Sequence, residues 1–214
     1  MSGLGQPERL RRLVLSTRNP HKLAELSEIL LDCELLPLPP QVELPPEDGL
    51  SFSANALIKA RAARAATGLA AIADDSGIVA RALGTRPGIH SARFAGPAAS
   101  DAANLAKLIA ALRDHDDRSV AYVCALAYID ENGVASVFEA RCEGDLIDRP
   151  RGDGGFGYDP AFVPRATGPE DRRTMAELSA PEKHAISHRG TAARKLSNHL
   201  AATRSEPITR TLGR

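Results

Sequence analysis

Apolar and polar positions along the chain form two patterns: short apolar runs, which predict buried strands, and apolar residues at helical spacing, which predict helices. A short apolar run at residues 12–17 predicts a buried strand. Asn19-Pro20 follows it, and leucines then repeat at helical spacing, which predicts a helix over residues 21–31. A strand, a short turn and a helix in this order are typical of an α/β protein.

The same two patterns predict the remaining helices and strands of the chain. Helices are expected at residues 53–67, 101–112 and 187–202, with a helical turn at 175–178, and strands at 69–73, 120–129, 135–142 and 161–163. Asn132-Gly133 between two of these strands is a hairpin signal. Irregular connections are expected at 37–46, with five prolines in ten residues, at 84–97 and at 152–160. We therefore predict one mixed α/β domain over residues 1–214, in one unit or two lobes, with polar tails around a core of about 13–200.

Composition narrows the classes of function. The chain has 214 residues, 27 Lys+Arg against 27 Asp+Glu, and 43% hydrophobic residues, which excludes wholesale disorder and a polybasic nucleic-acid binder. Cys33, Cys124 and Cys142 form no paired motif, so reduced thiols in a cytoplasmic protein are expected. The first twelve residues are polar and the apolar run after them is too short for a membrane span. We expect neither a membrane nor a nucleic-acid partner.

The first candidate site lies where the first strand meets its helix. Thr17, Asn19 and Lys22 surround a helix N-terminus, whose free N–H groups favour an anion such as phosphate. The same residues are also compatible with simple capping, in which Thr17 or Asn19 caps the helix, Pro20 takes its first position and Lys22 is solvated.

The second candidate site is Asp74-Asp75-Ser76-Gly77, at the predicted end of an apolar strand. Carboxylates at such a position suit Mg²⁺, which takes one or two of them together with phosphate oxygens and water. Adjacent strand residues point to opposite faces, so we expect one Asp to meet the metal or a water and the other to brace the loop. A turn built on Asp and Gly is the alternative. Glu47, before the second predicted helix, is either a further metal ligand or a charge favoured by the helix dipole.

Two later segments complete the candidates. Residues 152–160 combine four glycines with Phe156 and Tyr158, a pattern that lets a backbone approach a ligand while a ring stacks on a base. His188 and Arg189 follow Ser187, a predicted N-cap, where cations are locally unfavourable unless a ligand binds there. A zinc site through His184 and His188 lacks a third clustered ligand.

In this order, the motifs resemble those of the inosine triphosphate pyrophosphatase family. The matching stretches are Ser-Thr-Arg-Asn-Pro-His-Lys, Glu-Asp-Gly-Leu-Ser-Phe-Ser-Ala-Asn-Ala, Ala-Asp-Asp-Ser-Gly, Pro-Gly-Ile-His-Ser-Ala-Arg-Phe-Ala-Gly, Gly-Gly-Phe-Gly-Tyr-Asp-Pro and Ala-Ile-Ser-His-Arg-Gly. With them, the resemblance covers about residues 13–200. The resemblance implies an elongated mixed β-sheet flanked by helices, two lobes with a central nucleotide cleft, and a homodimer. It also implies Mg²⁺-dependent hydrolysis of ITP, dITP and XTP to a nucleoside monophosphate and pyrophosphate, which cleanses the nucleotide pool.

The resemblance also implies a role for individual residues. Asp75 would be the general base and, with Glu47, a metal ligand. The residues implied to bind the substrate are Thr17, Arg18, Asn19, Pro20, His21, Lys22, Ser76, Phe156, Gly157, Tyr158, Asp159, Lys183, His188 and Arg189. Within this set Phe156 would stack on the base, and Lys183, His188 and Arg189 would complete the base and phosphate contacts. The chain departs from the family at Arg18, where a small residue is usual, and at His184.

Overall fold

A computed structural model describes residues 10–204 of the chain. The predicted polar tails fall almost wholly outside these residues. Six strands and five helices are present in the described part: β1 Arg11–Leu15, α1 Pro20–Ile29, β2 Cys33–Pro37, α2 Phe52–Thr67, β3 Ala71–Ala80, α3 Asp101–Leu112, β4 Ser119–Ile129, β5 Ala135–Leu146, β6 Phe162–Pro164, α4 Ala180–Ile186 and α5 His188–Arg204. None of these helices is long and apolar enough to cross a membrane.

The strands form one mixed sheet in the order β2-β1-β3-β4-β5-β6. β1 pairs in parallel with both β2 and β3, whereas every pair from β3 to β6 is antiparallel. The predicted hairpin is confirmed, because Gly133 turns the chain at a φ of 85° and Ile129 pairs with Ala135. The predicted mixed sheet flanked by helices is thus confirmed.

The prediction for the third strand was wrong at its end. We expected the strand to stop before Asp74, but β3 continues through Asp74 and Asp75 to Ala80. The whole strand pairs with β4, from Ala71 opposite Ile129 to Ala80 opposite Val120. Cross-strand pairing therefore overrides the local turn preference of Asp, Ser and Gly.

The sequence pattern did not predict two short elements, a strand and a helix. The strand β2 begins at Cys33, directly after α1, and it runs into the proline-rich connection. Helix α4 covers only seven residues between Ser179, whose side chain caps it, and Ser187. Both are too short for a periodic signal to stand out.

Helices cover both faces of the sheet. On one face, α2 packs its alanines on β3 and β4 in a cluster that includes Ala56, Ala60 and Ala125. On the opposite face, α1 and α5 pack over β1, β3 and β4, where Leu26 and Leu196 are fully buried. A separate cluster on α3 and the far ends of β4 and β5, with Leu108 and Phe162 at its centre, completes the core. The functional cleft lies between these packed regions.

The candidate active site

A cleft of about 330 Å³ opens at the carboxyl end of β1, over the middle of β3. Fourteen of the predicted site residues line it: Thr17, Arg18, Asn19, Lys22, Glu47, Asp75, Ser76, Phe156, Gly157, Tyr158, Asp159, Lys183, His188 and Arg189. Segments as far apart in sequence as Thr17 and Arg189 therefore meet in one place. Pro20 instead begins α1, and His21 lines an adjoining groove.

The N-terminus of α1 forms one end of this cleft. Asn19 caps the helix, since its Oδ1 accepts hydrogen bonds from the backbone N–H groups of His21 (2.9 Å) and Lys22 (3.3 Å). Thr17 Oγ1 accepts one from the Asn19 N–H at 3.1 Å. The capping interpretation is confirmed for Asn19, while binding of phosphate by this turn stays a prediction.

Arg18 lines the cleft, but its guanidinium points into the proline-rich connection. It donates hydrogen bonds to the backbone carbonyls of Leu38, Pro39, Pro40 and Val42 at 2.7–3.2 Å. The irregular segment that leads to Glu47 is thereby held against the loop after β1.

Asp74 lies on the α5 face of β3 and is almost fully buried among cations. Its carboxylate accepts a hydrogen bond from Arg189 Nε at 3.1 Å and forms an ion pair with Lys22 Nζ at 2.5 Å. Burial by itself opposes ionisation, but attraction to Arg189, Lys22 and Lys59 outweighs it and lowers the pKa of Asp74 far below its usual range. Asp74 is therefore a fixed negative charge that orients two cations at the cleft.

Asp75 lies on the α2 face, in different surroundings. Asn55 Nδ2 donates a hydrogen bond to its Oδ2 at 3.1 Å, and Lys59 Nζ lies 3.6 Å from its Oδ1. Burial raises the pKa of Asp75, Lys59 opposes the change, and the negative charge of Glu47 adds to it. Of the two carboxylates, Asp75 is the one in the cleft lining and the one with the stronger proton affinity.

Asn55 and Lys59, one turn apart on α2, are both buried. Lys59 Nζ donates to Glu47 Oε1 at 2.6 Å and to the Asp74 carbonyl at 2.9 Å, and attraction to the neighbouring acids, opposed by burial, raises its pKa. Glu47 and Asp75 thus converge on one cation. That convergence fits a divalent metal, although residues 10–204 hold no cluster of three or more acidic, His or Cys side chains for a cage made of protein alone. Mg²⁺ needs only one or two carboxylates beside phosphate oxygens.

The glycine-rich loop forms a second wall of the cleft, beside the first turn of α1. The Phe156 ring stacks on His21, with centroids 5.1 Å apart, and Lys183 Nζ lies 5.3 Å from the same ring. Asp159 fixes the loop by accepting hydrogen bonds from the Phe156 N–H and from Lys183 Nζ, at 2.9 and 2.7 Å. A ring and a cation are therefore held together where the motif predicted a base pocket.

His188 and Arg189, in the first turn of α5, are also buried in this wall. The His188 ring stacks on Tyr122 at 4.7 Å, and burial, reinforced by Arg189, holds the pKa of His188 well below its usual value. Its Nδ1 is buried with no hydrogen-bond partner among the described residues. His184 pairs instead with Glu28 at 2.8 Å, so the two histidines do not meet as zinc ligands.

Glu25 is the main residue that the sequence analysis missed. Its carboxylate accepts a hydrogen bond from Lys183 Nζ at 2.6 Å and a second from Arg189. Attraction to these cations lowers the pKa of Glu25 against the opposing effect of burial. Its position three residues after Lys22, on the same side of α1, was the available signal.

Comparison with known proteins agrees with this geometry. The model of the Ham1 family matches residues 13–199. The dITP/XTP pyrophosphatase of Geobacter sulfurreducens is 44% identical over 200 residues, which is 89% of this chain and 97% of the relative. The dITP/XTP pyrophosphatase of Mycobacterium tuberculosis is 47% identical over 203 residues, 91% of this chain and 96% of the relative.

Comparison with solved structures also points to the Ham1 family. The HAM1 protein from Coxiella burnetii superposes with a TM-score of 0.80 at 42% identity, covering 90% of this chain and 100% of that one. The Ham1 protein of Staphylococcus aureus superposes with a TM-score of 0.79 at 35% identity and the same coverage. The family resemblance predicted from the six ordered motifs is confirmed: the chain belongs to the Ham1 family.

Proposed function

We propose that this protein hydrolyses the deaminated purine nucleoside triphosphates ITP, dITP and XTP to nucleoside monophosphates and pyrophosphate. One observation carries the proposal: Asp75, with its raised pKa, faces the same cleft as the N-terminus of α1 and Lys22. A carboxylate with high proton affinity beside an anion-binding turn is the arrangement that general-base attack on a phosphate requires. The names of the relatives in Geobacter and Mycobacterium support this choice of substrates.

In the proposed reaction, a water oxygen forms a bond to the α-phosphorus while Asp75 accepts the water proton. The bond between the α-phosphorus and its bridging oxygen breaks, and pyrophosphate leaves with that oxygen. Asn55 and Lys59 hold the Asp75 carboxylate in place, and Lys59 favours its ionised form. These contacts allow Asp75 to remain a base although burial raises its pKa.

Glu47 and Asp75 would hold Mg²⁺, because both carboxylates already converge on the Lys59 ammonium. When bound, Mg²⁺ would neutralise charge on the phosphates and on the leaving pyrophosphate. Lys22 supplies a further positive charge at the same end of the cleft.

Base selectivity would reside where Arg189 lies 5.6 Å from the Phe156 ring. A purine with a 6-keto group presents an acceptor, whereas adenine presents an amino donor at that position. Arg189 donates three of its N–H groups to Asp74, Glu25 and Ser76, and its guanidinium has two more. Facing an adenine amino group, these two donors would stay unpaired in the cleft. A site of this kind rejects the wrong base by several orders of magnitude.

The test is pyrophosphate release from equal concentrations of ITP, dITP, XTP, ATP, GTP and dTTP, with Mg²⁺ and with a chelator. We expect rapid, Mg²⁺-dependent release from the first three nucleotides alone. Guanine shares the 6-keto acceptor, so the rejection of GTP would depend on its 2-amino group instead. Equal release from all six would contradict the selectivity. Release from none, with binding intact, would indicate a nucleotide sensor instead. The homodimer implied by the family resemblance stays a prediction, which sedimentation equilibrium would test.

A further inference from the structure

The cations of the cleft differ in whether they already have a partner. Four of them pair with carboxylates: Lys22 with Asp74, Lys59 with Glu47, Lys183 with Asp159 and Arg189 with Asp74. Arg18 is held by backbone carbonyls. Arg93 also lines the cleft and is half-buried, yet its guanidinium has no hydrogen bond or ion pair to any residue between 10 and 204. It is therefore a free positive charge within the site.

The backbone that carries Arg93 is fixed from one side by Ser91. The two residues lie in a short 3₁₀ turn, Gly88–Arg93, packed against β3. Ser91 Oγ accepts a hydrogen bond from the Ile78 N–H at 2.9 Å and donates to the Gly88 carbonyl at 2.6 Å. The Tyr158 hydroxyl donates to the Ser91 carbonyl at 2.8 Å, which ties the turn to the glycine-rich loop.

Gly77 allows this close packing. A Cβ at Gly77 would lie 2.4 Å from Ser91 Oγ and 2.7 Å from the Gly88 carbonyl oxygen, so a larger residue would push the turn away from β3. The glycine of the Asp-Asp-Ser-Gly motif therefore sets the distance between Arg93 and the strand that carries Asp75.

Helix α3 fixes the other side of Arg93. Asn104 is buried, and its side chain donates to the Ala92 carbonyl at 3.1 Å and accepts from the Ala95 N–H at 2.7 Å. Lys107 donates to the Phe94 carbonyl at 2.6 Å. The backbone is thus anchored immediately before and after a side chain that is itself unpaired, as expected of a residue preorganised for a ligand.

We propose that Arg93 binds the phosphate chain of the nucleotide, from a wall of the cleft different from that of α1. This assignment rests on the proposed function for the identity of the ligand. A guanidinium presents up to five donors in a planar fork that matches phosphate oxygens. The other cations of the cleft already have partners, which are carboxylates for four of them and backbone carbonyls for Arg18, whereas Arg93 gives up no existing partner when it binds an anion.

The test measures the affinity of the full-length protein for Mg²⁺-tripolyphosphate by calorimetry, in Arg93→Gln, Arg93→Lys and Arg86→Gln. Arg86 lies in the same loop but is exposed outside the cleft, so its variant removes the same charge as a control. We expect Arg93→Gln to weaken binding about ten- to a hundredfold, the loss of charge-assisted hydrogen bonds. Arg93→Lys should recover part of the affinity, and Arg86→Gln should match the unmodified protein.

The outcomes separate this inference from the proposed function, because binding of tripolyphosphate requires no turnover. Unchanged binding in Arg93→Gln, with an unaltered thermal unfolding midpoint, overturns the role of Arg93 even if dITP is hydrolysed. No binding of tripolyphosphate by the unmodified protein overturns it as well. Binding that depends on Arg93, without pyrophosphate release from any nucleotide, upholds the phosphate site and contradicts the proposed reaction.

Discussion

On one face of β3, the Asp74 carboxylate pairs with Arg189 and Lys22. Burial opposes ionisation, but attraction to these two cations, with a further contribution from Lys59, lowers its pKa far below the ordinary range. On the other face, Asp75 lies against Asn55 and Lys59 with Glu47 close by, and its pKa is raised. The two carboxylates are consecutive in sequence and share one strand, so the difference comes entirely from what packs on each face. Two cations converge on Asp74 from α1 and α5, whereas α2 brings a single shared cation to Asp75.

The difference between the two pKa values indicates different roles for the two carboxylates, one in positioning cations and the other in proton transfer. A carboxylate held ionised by several cations is a poor base, and its charge serves to position those cations. A carboxylate whose ionised form is less favoured accepts a proton more readily and suits general-base catalysis. The sheet thus places a positioning residue and a candidate base one residue apart.

The largest expected effect follows from Asp75→Asn. The substitution removes the proposed base but keeps the size of the side chain. The new amide keeps the hydrogen bond from Asn55 Nδ2 when its oxygen faces Asn55. We expect turnover of dITP to fall about 10²- to 10⁴-fold, while dITP binding and folding persist. Single-turnover kinetics and a thermal melt measure the two effects separately. Turnover near that of the unmodified protein would remove Asp75 as the base.

Asp74→Asn should act on stability instead. The Asp74 side chain is only 1% exposed, so the substitution leaves the charges of Lys22 and Arg189 buried against a neutral amide. Breaking a buried pair from one side costs about 3–5 kcal/mol in free energy of unfolding. Urea denaturation measures this loss. If Asp74→Asn unfolds at the same urea concentration as Asp75→Asn, the contrast between the two faces is wrong.

Glu25→Gln tests the cation network on the Asp74 face through pH. The pKa of Glu25 lies below its ordinary value, so the stability it adds is complete above about pH 4.5 and is lost as pH falls through its folded-state pKa. We expect the variant to lose about 1–3 kcal/mol in free energy of unfolding near pH 7. The difference should shrink near pH 3.

Urea denaturation at both pH values measures this difference, with Glu28→Gln as the matched control. Glu28 lies on the same helix, and its side chain is 58% exposed. Its substitution should change the free energy of unfolding by less than about 1 kcal/mol. A cost for Glu25→Gln that is equal at both pH values would show that charge does not carry the effect.

The smallest effect is expected from Cys124→Ala. Its thiol lies 3.7 Å from Asp74 Oδ2, and burial raises the pKa of this thiol well above its usual value, so it is a weak neutral donor. We expect a loss of about 1 kcal/mol in free energy of unfolding, as for a small core truncation, and unchanged turnover. Cys142→Ala, at a buried thiol on the adjacent strand, is the matched control. A much larger loss in Cys124→Ala would mean that the thiol, as well as the cations, holds Asp74.

The long periodic segments were predictable, and the short ones were not. Helix α2 ends at Thr67 as predicted and its C-cap Gly68 has a φ of 72°. The strand β2 and the helix α4 depend on neighbours that a local pattern does not contain: β2 pairs with β1, and α4 packs on α5 at Gly190, where a Cβ would lie 2.0 Å from the His184 carbonyl oxygen.

The residues of the candidate site also fall into two groups, those that the sequence predicted and those that only the packing shows. The motifs placed Asp75, Lys22 and Arg189 in the cleft correctly, because acidic, basic and glycine residues beside predicted helix starts and apolar runs stand out in the sequence. They did not identify the partners of these residues, since Glu25 and Lys59 lie on helices whose packing decides which side chains are buried. The same limit applies to Arg93, whose place in the cleft depends on how the turn Gly88–Arg93 packs against β3.

The sequence by itself determined the family, the mixed α/β class and most residues of the cleft, because these depend on local pattern and on motif order. Only the tertiary structure decided which of two adjacent carboxylates is held ionised, which buried lysine bridges Glu47 and Asp75, and which cleft arginine is free to bind. The physical reason is that pKa and pairing are set by desolvation and by charges within a few ångströms, and those charges come from segments far apart in the chain.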